Sequence, residues 1–452
     1  MNRMKKMLAL LLALLMAFAV SGCAENLPTI EVPPLPEVTP TPQPTLQVEN
    51  PTAEGTQADP TESPEDGTVG EPLSEEPPVQ IFVSNANQTR YDYDPEEGTE
   101  LILSFSYDMP RVHSEDFAES CERINEALAT VEELFYTGDS YEQNGRYMGY
   151  SALLEAAEDN YTYVRENADS ELPLEFSDAL TARVNRVDDK VLSVVYSQTV
   201  YMGGAHGSYG AEALNFDMAT GERLSLDRLS SDFDAFADFL TQRMLTMIEE
   251  DVDGEYSGRV MEEYLYDQTL EGAIRGLLRE GSWYFDNEGL VIFSNLEELG
   301  PYAAGMVYFR IPYADLADKI DSQWLFPGQR QGKGKLSVCE LSELEGKETE
   351  IVDKLDVSEE GVALCLVVEG RIYDITISRV YYVDRFYESA QLWCASALSD
   401  CALQLEVVIP EGLPDLLIRY TTADGEQHGK LLSQSGLDGS FMLVDDDIQA
   451  VG

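Results

Sequence analysis

The stretch Leu180-Thr-Ala-Arg-Val-Asn-Arg-Val187, Asp188-Asp189-Lys190, Val191-Leu-Ser-Val-Val-Tyr-Ser-Gln-Thr-Val-Tyr201 decides the fold. Apolar residues alternate with polar ones on both sides of a three-residue polar break, which predicts a β-hairpin with its turn at 188–190. Upstream, Phe117, Cys121, Ile124, Leu128, Val131 and Phe135 recur at helical spacing behind Ser114, a residue suited to cap that helix. A second helix is expected at about 149–166, and a strand at Thr99–Tyr107. Two helices laid on antiparallel strands give an α+β fold rather than a doubly wound one.

Downstream the same alternation continues. Ala213–Leu226 reads as a hairpin turning at Thr220-Gly221, followed by a helix opened by Ser230 or Ser231. Its apolar residues Phe233, Phe236, Ala237, Leu240, Met244 and Ile248 lie on one face. A helix at about 259–278, strands at Leu290–Phe293 and Val307–Ile311 and a short helix at Ala314–Ile320 complete this part. Past the polar, glycine-rich stretch 327–334, the β-branched and aromatic runs 362–368, 372–383, 403–409 and 416–422 predict a β-rich C-terminal domain. Asp424-Gly425 marks one of its turns.

Composition narrows the function. The chain of 452 residues holds 29 Lys+Arg against 84 Asp+Glu, a net charge of −55, and such a field repels phosphate backbones. Nucleic acid is therefore not an expected partner. The three histidines, His113, His206 and His428, are far apart and form no H-x-x-H or H-x-x-x-H pair, so no metal site and no cofactor is expected. Ser208 lies in His206-Gly207-Ser208-Tyr209-Gly210, which misses G-x-S-x-G at its first glycine. Asp251-Val252-Asp253-Gly254-Glu255 has Tyr256 where a calcium loop needs glycine, and reads as a solvated turn. No catalytic residue is assigned.

The N-terminus reads as an address. Arg3, Lys5 and Lys6 precede the apolar run Met7–Val20, which is too short to span a bilayer of ~30 Å. It ends in Val20-Ser21-Gly22-Cys23, which resembles the bacterial lipobox, and this implies lipidation of Cys23 and anchorage at the outer face of the cytoplasmic membrane. Residues 24–80 hold 13 prolines and 12 acidic residues, with no basic and no aromatic residue, so they cannot build a core. Without the leader and this tether, residues 81–452 still carry −46. The expected organisation is a leader at 1–22, a tether at 23–80, an α+β companion domain at 81–200, a second α+β module at 201–326 and the β-rich domain at 335–452. Cys121, Cys339, Cys365, Cys394 and Cys401 contain no C-x-x-C; Cys121 and Cys365 read as buried thiols, and one disulfide among the last four remains open.

One constellation resembles a known family. Met202-Gly203-Gly204-Ala205-His206-Gly207, Asn215-Phe216-Asp217 with Thr220-Gly221, Trp283-Tyr284-Phe285 with Gly289-Leu290, and Gly300-Pro301-Tyr302-Ala303-Ala304-Gly305 are similar in order and spacing to the RsiV/PdaC-like extracytoplasmic module. Ile124-Asn125 is similar to the companion domain that precedes it. The resemblance spans about residues 81–325 and implies recognition outside the membrane, since in lysozyme-sensing anti-sigma factors this module binds lysozyme. The deacetylase motifs of other relatives are missing here.

Gly203, Gly204, His206, Gly207 and Tyr302 are thus the ligand-binding candidates. The glycines free the backbone for φ > 0 and for close approach, and His206 can serve as ligand contact, metal ligand or general base, or can order a tight bend. The expected partner is a cell-wall glycan or a basic protein such as lysozyme, which a −46 surface would attract. An envelope enzyme acting on peptidoglycan through His206 is the alternative.

Overall fold

The computed structural model describes residues 78–94, 98–138, 147–167, 175–252, 254–265, 268–326, 330–345, 349–356, 361–382, 386–407, 416–435 and 439–445. The leader, Cys23 and the tether as far as residue 77 lie outside the described residues, as do Asp253 and residues 436–438. Among the described residues no helix is long and apolar enough to cross a membrane.

Strands β1 (Gln80–Asp94), β2 (Gly98–His113), β3 (Phe176–Val187), β4 (Val191–Tyr201) and β5 (Ser208–Asp217) form one end of a ten-stranded sheet. Helices α1 (Ala118–Thr137) and α2 (Tyr150–Glu166) cover it. Alternation along β4 sorts its side chains: Leu192, Val194 and Tyr196 join the core under α1 and α2, while Val191 joins a core on the opposite face. The hairpin turn falls at 188–190, where Asp188 Oδ1 accepts the Lys190 and Val191 amides, both at 2.8 Å.

The opposite face carries α3 (Phe233–Glu250), α4 (Leu270–Gly276) and α5 (Tyr313–Leu316) with a second, three-stranded sheet of β6 (Trp283–Phe285), β7 (Gly289–Ser294) and β8 (Val307–Pro312). The arrangement is α+β, with mostly antiparallel sheets and packed amphipathic helices. The cap of α3 is Asp232, which accepts the Ala235 amide at 3.2 Å, rather than either serine. Ser114 does not cap α1 but donates to the Pro78 carbonyl at 2.9 Å. The helix expected at 259–278 is broken: Thr269 accepts the Gly272 amide and opens the two-turn α4, while Met261 N–H is drawn to the Leu299 carbonyl. The helix expected at 314–320 is the single turn α5, and it starts one residue earlier.

The remaining strands are β9 (Lys335–Glu340), β10 (Glu350–Asp356), β11 (Val362–Glu369), β12 (Arg371–Tyr382), β13 (Phe386–Ser399), β14 (Cys401–Val407), β15 (Leu416–Thr421), β16 (Gln427–Gln434) and β17 (Phe441–Asp445). They split between two sheets. A four-stranded sheet runs β10-β14-β11-β9, and the large sheet runs β17-β16-β15-β12-β13-β1-β2-β3-β4-β5. Leu364, Leu366, Leu403 and Leu405 of the smaller sheet pack on Ile372, Ile375, Trp393 and Ile418 of the larger.

Gln80, Ile81 and Phe82 pair with Ala395, Cys394 and Trp393, so the large sheet is continuous from its N-terminal to its C-terminal strands. The β2–β3 ladder is parallel and covers only Leu103–Tyr107. Past it, side chains replace the missing strand: Asp108 Oδ2 accepts the Ala182 amide at 2.8 Å, and Gln391 Oε1 accepts the Val184 amide at 2.7 Å.

Candidate functional site

Most of the motif residues turn out to hold the fold. Ile124 is fully buried, and the Asn125 amide clamps strand β2, accepting the Val112 N–H at 2.9 Å and donating to the Val112 carbonyl at 3.0 Å. Asn215 accepts from Ser193 Oγ at 2.6 Å and donates to the Trp283 carbonyl at 2.8 Å, which ties β4 and β5 to β6. Asp217 accepts the Ala219 amide and shapes the turn at Thr220-Gly221. Gly221 has φ +71°, and a Cβ there would stand 2.6 Å from the Ser120 carbonyl oxygen of α1. A Cβ on Gly289 would stand 2.1 Å from the Ile311 oxygen. Trp283 and Phe285 are core residues.

The segments 202–207 and Tyr302–Ala304 lie nearer the surface, with His206 exposed and Tyr302 half-buried. They sit in the connection between β4 and β5 and in the short 3₁₀ turn Tyr302–Ala304. The imidazole of His206 stacks on the Tyr302 ring, with centroids 3.8 Å apart and planes 24° from parallel. Both side chains address one carbonyl. Tyr302 Oη donates to Gly207 O, and His206 Nδ1 lies 3.0 Å from the same oxygen. A carbonyl can only accept, so the contact is a hydrogen bond in the tautomer that carries its hydrogen on Nδ1.

Gly207 permits the approach because a Cβ on it would lie 2.8 Å from the Val200 oxygen. Gly203 and Gly204 have φ of +90° and +98°, a region open to glycine, and the Gly204 carbonyl accepts from Tyr201 Oη at 3.2 Å.

Around this stack lies a surface that the motif alone does not reveal. Tyr209 meets the Tyr302 ring edge-on at 6.3 Å, and its hydroxyl passes Gly305 so closely that a Cβ there would be 2.9 Å away. Tyr308 donates to Met306 Sδ at 3.5 Å; burial, and after it the neighbouring Tyr209, raises its pKa. Met202, Tyr209 and Tyr308 are 45%, 38% and 42% exposed, and His206 is exposed as well. The sequence did carry a signal for Tyr308, which occupies an outward position in the strict in-out alternation of β8. Tyr209 had none beyond its closeness to the glycines, while Met202 opens the motif itself.

The arrangement is an aromatic platform with hydrogen-bonding edges, suited to stacking and to amphipathic contact. The polar contacts described for His206 and Tyr302 go to the main chain. Among the described residues no group of three or more His, Cys, Asp or Glu side chains could hold a metal ion. Two cavities lie apart from the platform. One of about 400 Å³ is lined by Tyr196, Gln198 and Glu212, and a polar cleft of about 440 Å³ is lined by Arg183, Arg310, Glu388 and Arg419.

Comparison with known proteins places part of this chain. A DUF3298 family member from Bacteroides fragilis NCTC 9343 is similar in structure at 17% identity, over 54% of this chain and 94% of its own, with a TM-score of 0.36. A DUF3298 family protein from Pseudomonas aeruginosa PAO1 is similar at 17% identity, over 54% of this chain and 97% of its own, with a TM-score of 0.33. No curated protein matches the chain. Residues 233–314, which run from α3 through the Tyr302 turn and β8, match the family described as "Protein of unknown function (DUF3298)".

Proposed function

We propose that the chain is a bacterial surface lipoprotein, anchored by lipidated Cys23 at the outer face of the cytoplasmic membrane, that recognises an extracellular ligand without catalysis. The observation that carries the reading is the stack of the exposed His206 on the half-buried Tyr302, with Tyr209 edge-on to Tyr302 and Tyr308 beside Tyr209. Aromatic side chains with polar tips are the residues that contribute most per contact at recognition surfaces. The ligand class is a cell-wall glycan or a lysozyme-like protein. Flat rings suit the apolar faces of sugars, and the acidic surface, −46 over residues 81–452, suits a cationic protein.

The test uses the Cys23→Ser chain without residues 1–22, applied to immobilised lysozyme and to soluble wall fragments at low and physiological salt. Saturable binding is expected to persist at physiological salt, and His206→Ala and Tyr302→Ala are each expected to weaken it about tenfold. Binding that disappears with salt, or that both variants retain in full, would defeat the reading, because contact would then be charge alone or lie elsewhere.

A further inference from the structure

We infer that Cys339 and Cys365 form a site of disulfide modification that staples the outer strand β9 to β11. The two residues are direct partners in the antiparallel β9–β11 ladder, so their side chains leave the same face of the sheet side by side. Opposed residues of an antiparallel pair have Cα atoms about 4.5–5.5 Å apart, inside the range of about 4.4–6.8 Å that a disulfide spans. Both belong to one small apolar cluster with Leu341, Leu344, Val367 and Ala402. Both stand as thiols in the structure.

The other cysteines are placed differently. Cys121 lies on α1, Cys394 opposes Ile81 and Thr376, and Cys401 opposes Glu350. The ladder therefore selects one pair where the sequence leaves several.

Their unequal exposure gives the order of events. Cys365 is fully buried, while Cys339 is partly exposed on β9, the last strand of its sheet. The oxidant is an external disulfide, RSSR, of the kind carried by glutathione or by a thiol oxidoreductase in an oxidising compartment. Cys339 gives up its proton and its thiolate attacks one sulfur of RSSR, breaking that S–S bond and releasing RS⁻. Cys365 then gives up its proton and attacks Cys339 Sγ in the mixed disulfide, expelling the second RS⁻. Two protein thiols are oxidised, RSSR is reduced, and the two protons end on the two released thiols. The closed loop from 339 to 365 restricts the unfolded chain, which favours the fold.

This inference is independent of ligand recognition and is tested on the full chain. The folded protein is incubated with glutathione disulfide, then denatured and alkylated, and its peptides are mapped by mass spectrometry. The expected result is a 339–365 linked peptide that dithiothreitol dissolves, with Cys121, Cys394 and Cys401 still alkylated. Cys365→Ser should stop at one glutathione on Cys339, and Cys339→Ser should leave Cys365 a thiol. Alkylation of both cysteines after incubation, a mixed disulfide on Cys339 that never closes in the unsubstituted chain, or linkage of either to another cysteine would overturn it.

Discussion

Asp178 stands on β3 with 1% of its surface exposed, and Gln198 Nε2 donates to both of its carboxyl oxygens at 3.0 Å. Burial dominates those two bonds and pushes its pKa up to about 7 from 3.8. Between about pH 4 and pH 7 the folded chain therefore holds a proton that the unfolded chain has released, and stability falls as pH rises through this window. Asp178→Asn removes the titration while keeping an acceptor for Gln198. It should be more stable than the parent by on the order of 2 kcal/mol at pH 8 and show a smaller gain at pH 5.5, as read from urea midpoints. An equal difference at the two pH values would refute this. Nothing in the local sequence Phe176-Ser177-Asp178-Ala179 announces a buried carboxyl, because its burial depends on which strand lies beside β3.

At the scale of elements, amide side chains do the work of a strand where ladders stop. Asn295 Oδ1 accepts the Ala211 N–H at 2.7 Å and its Nδ2 donates to the Ala211 carbonyl at 3.1 Å, covering the free edge of β5. Gln391 does the same for β3 from β13, and it lies 207 residues from Val184 in sequence. Gln391→Leu would leave a buried N–H without an acceptor. We expect a cost of about 2 kcal/mol together with faster hydrogen exchange at Val184, measured by exchange with mass spectrometry and by urea unfolding. Unchanged exchange at Val184 would show that the amide does not join the strands. Such clamps have no periodic signature, so patterning finds the strands and misses what holds them together.

For the whole molecule the decisive feature is the continuity of the ten-stranded sheet. Val79 N–H donates to Ser396 Oγ, and Ser396 N–H donates to the Val79 carbonyl, both at 2.9 Å, while Val79 and Ile81 are fully buried beneath this contact. The described residues, from 78 to 445, belong to one compact unit. Cutting the chain after residue 334 would strip β13 from one edge of β1, remove Gln391 from β3 and bare Ile81. Residues 78–334 alone should aggregate or unfold at clearly lower denaturant, whereas residues 78–452 should unfold in one cooperative transition, both followed by circular dichroism. A fragment with the midpoint of the longer chain would mean that the shared sheet adds no stability.

What the sequence determined by itself was local. The alternation around Asp188-Asp189-Lys190 specified the β3–β4 hairpin, and the spacing from Phe117 to Phe135 specified the buried face of α1, because periods of two and 3.6 residues follow from backbone geometry alone. The glycines around His206 marked a special backbone, since φ near +90° is a property of the residue type. Tertiary structure decided the rest: that Asn125, Asn215 and Asp217 brace the fold while His206 is exposed on the half-buried Tyr302, that Tyr209 and Tyr308 join them, and that Cys339 faces Cys365. Each of these depends on contacts between segments far apart in the chain, and no periodicity within a segment encodes which distant segment it will meet.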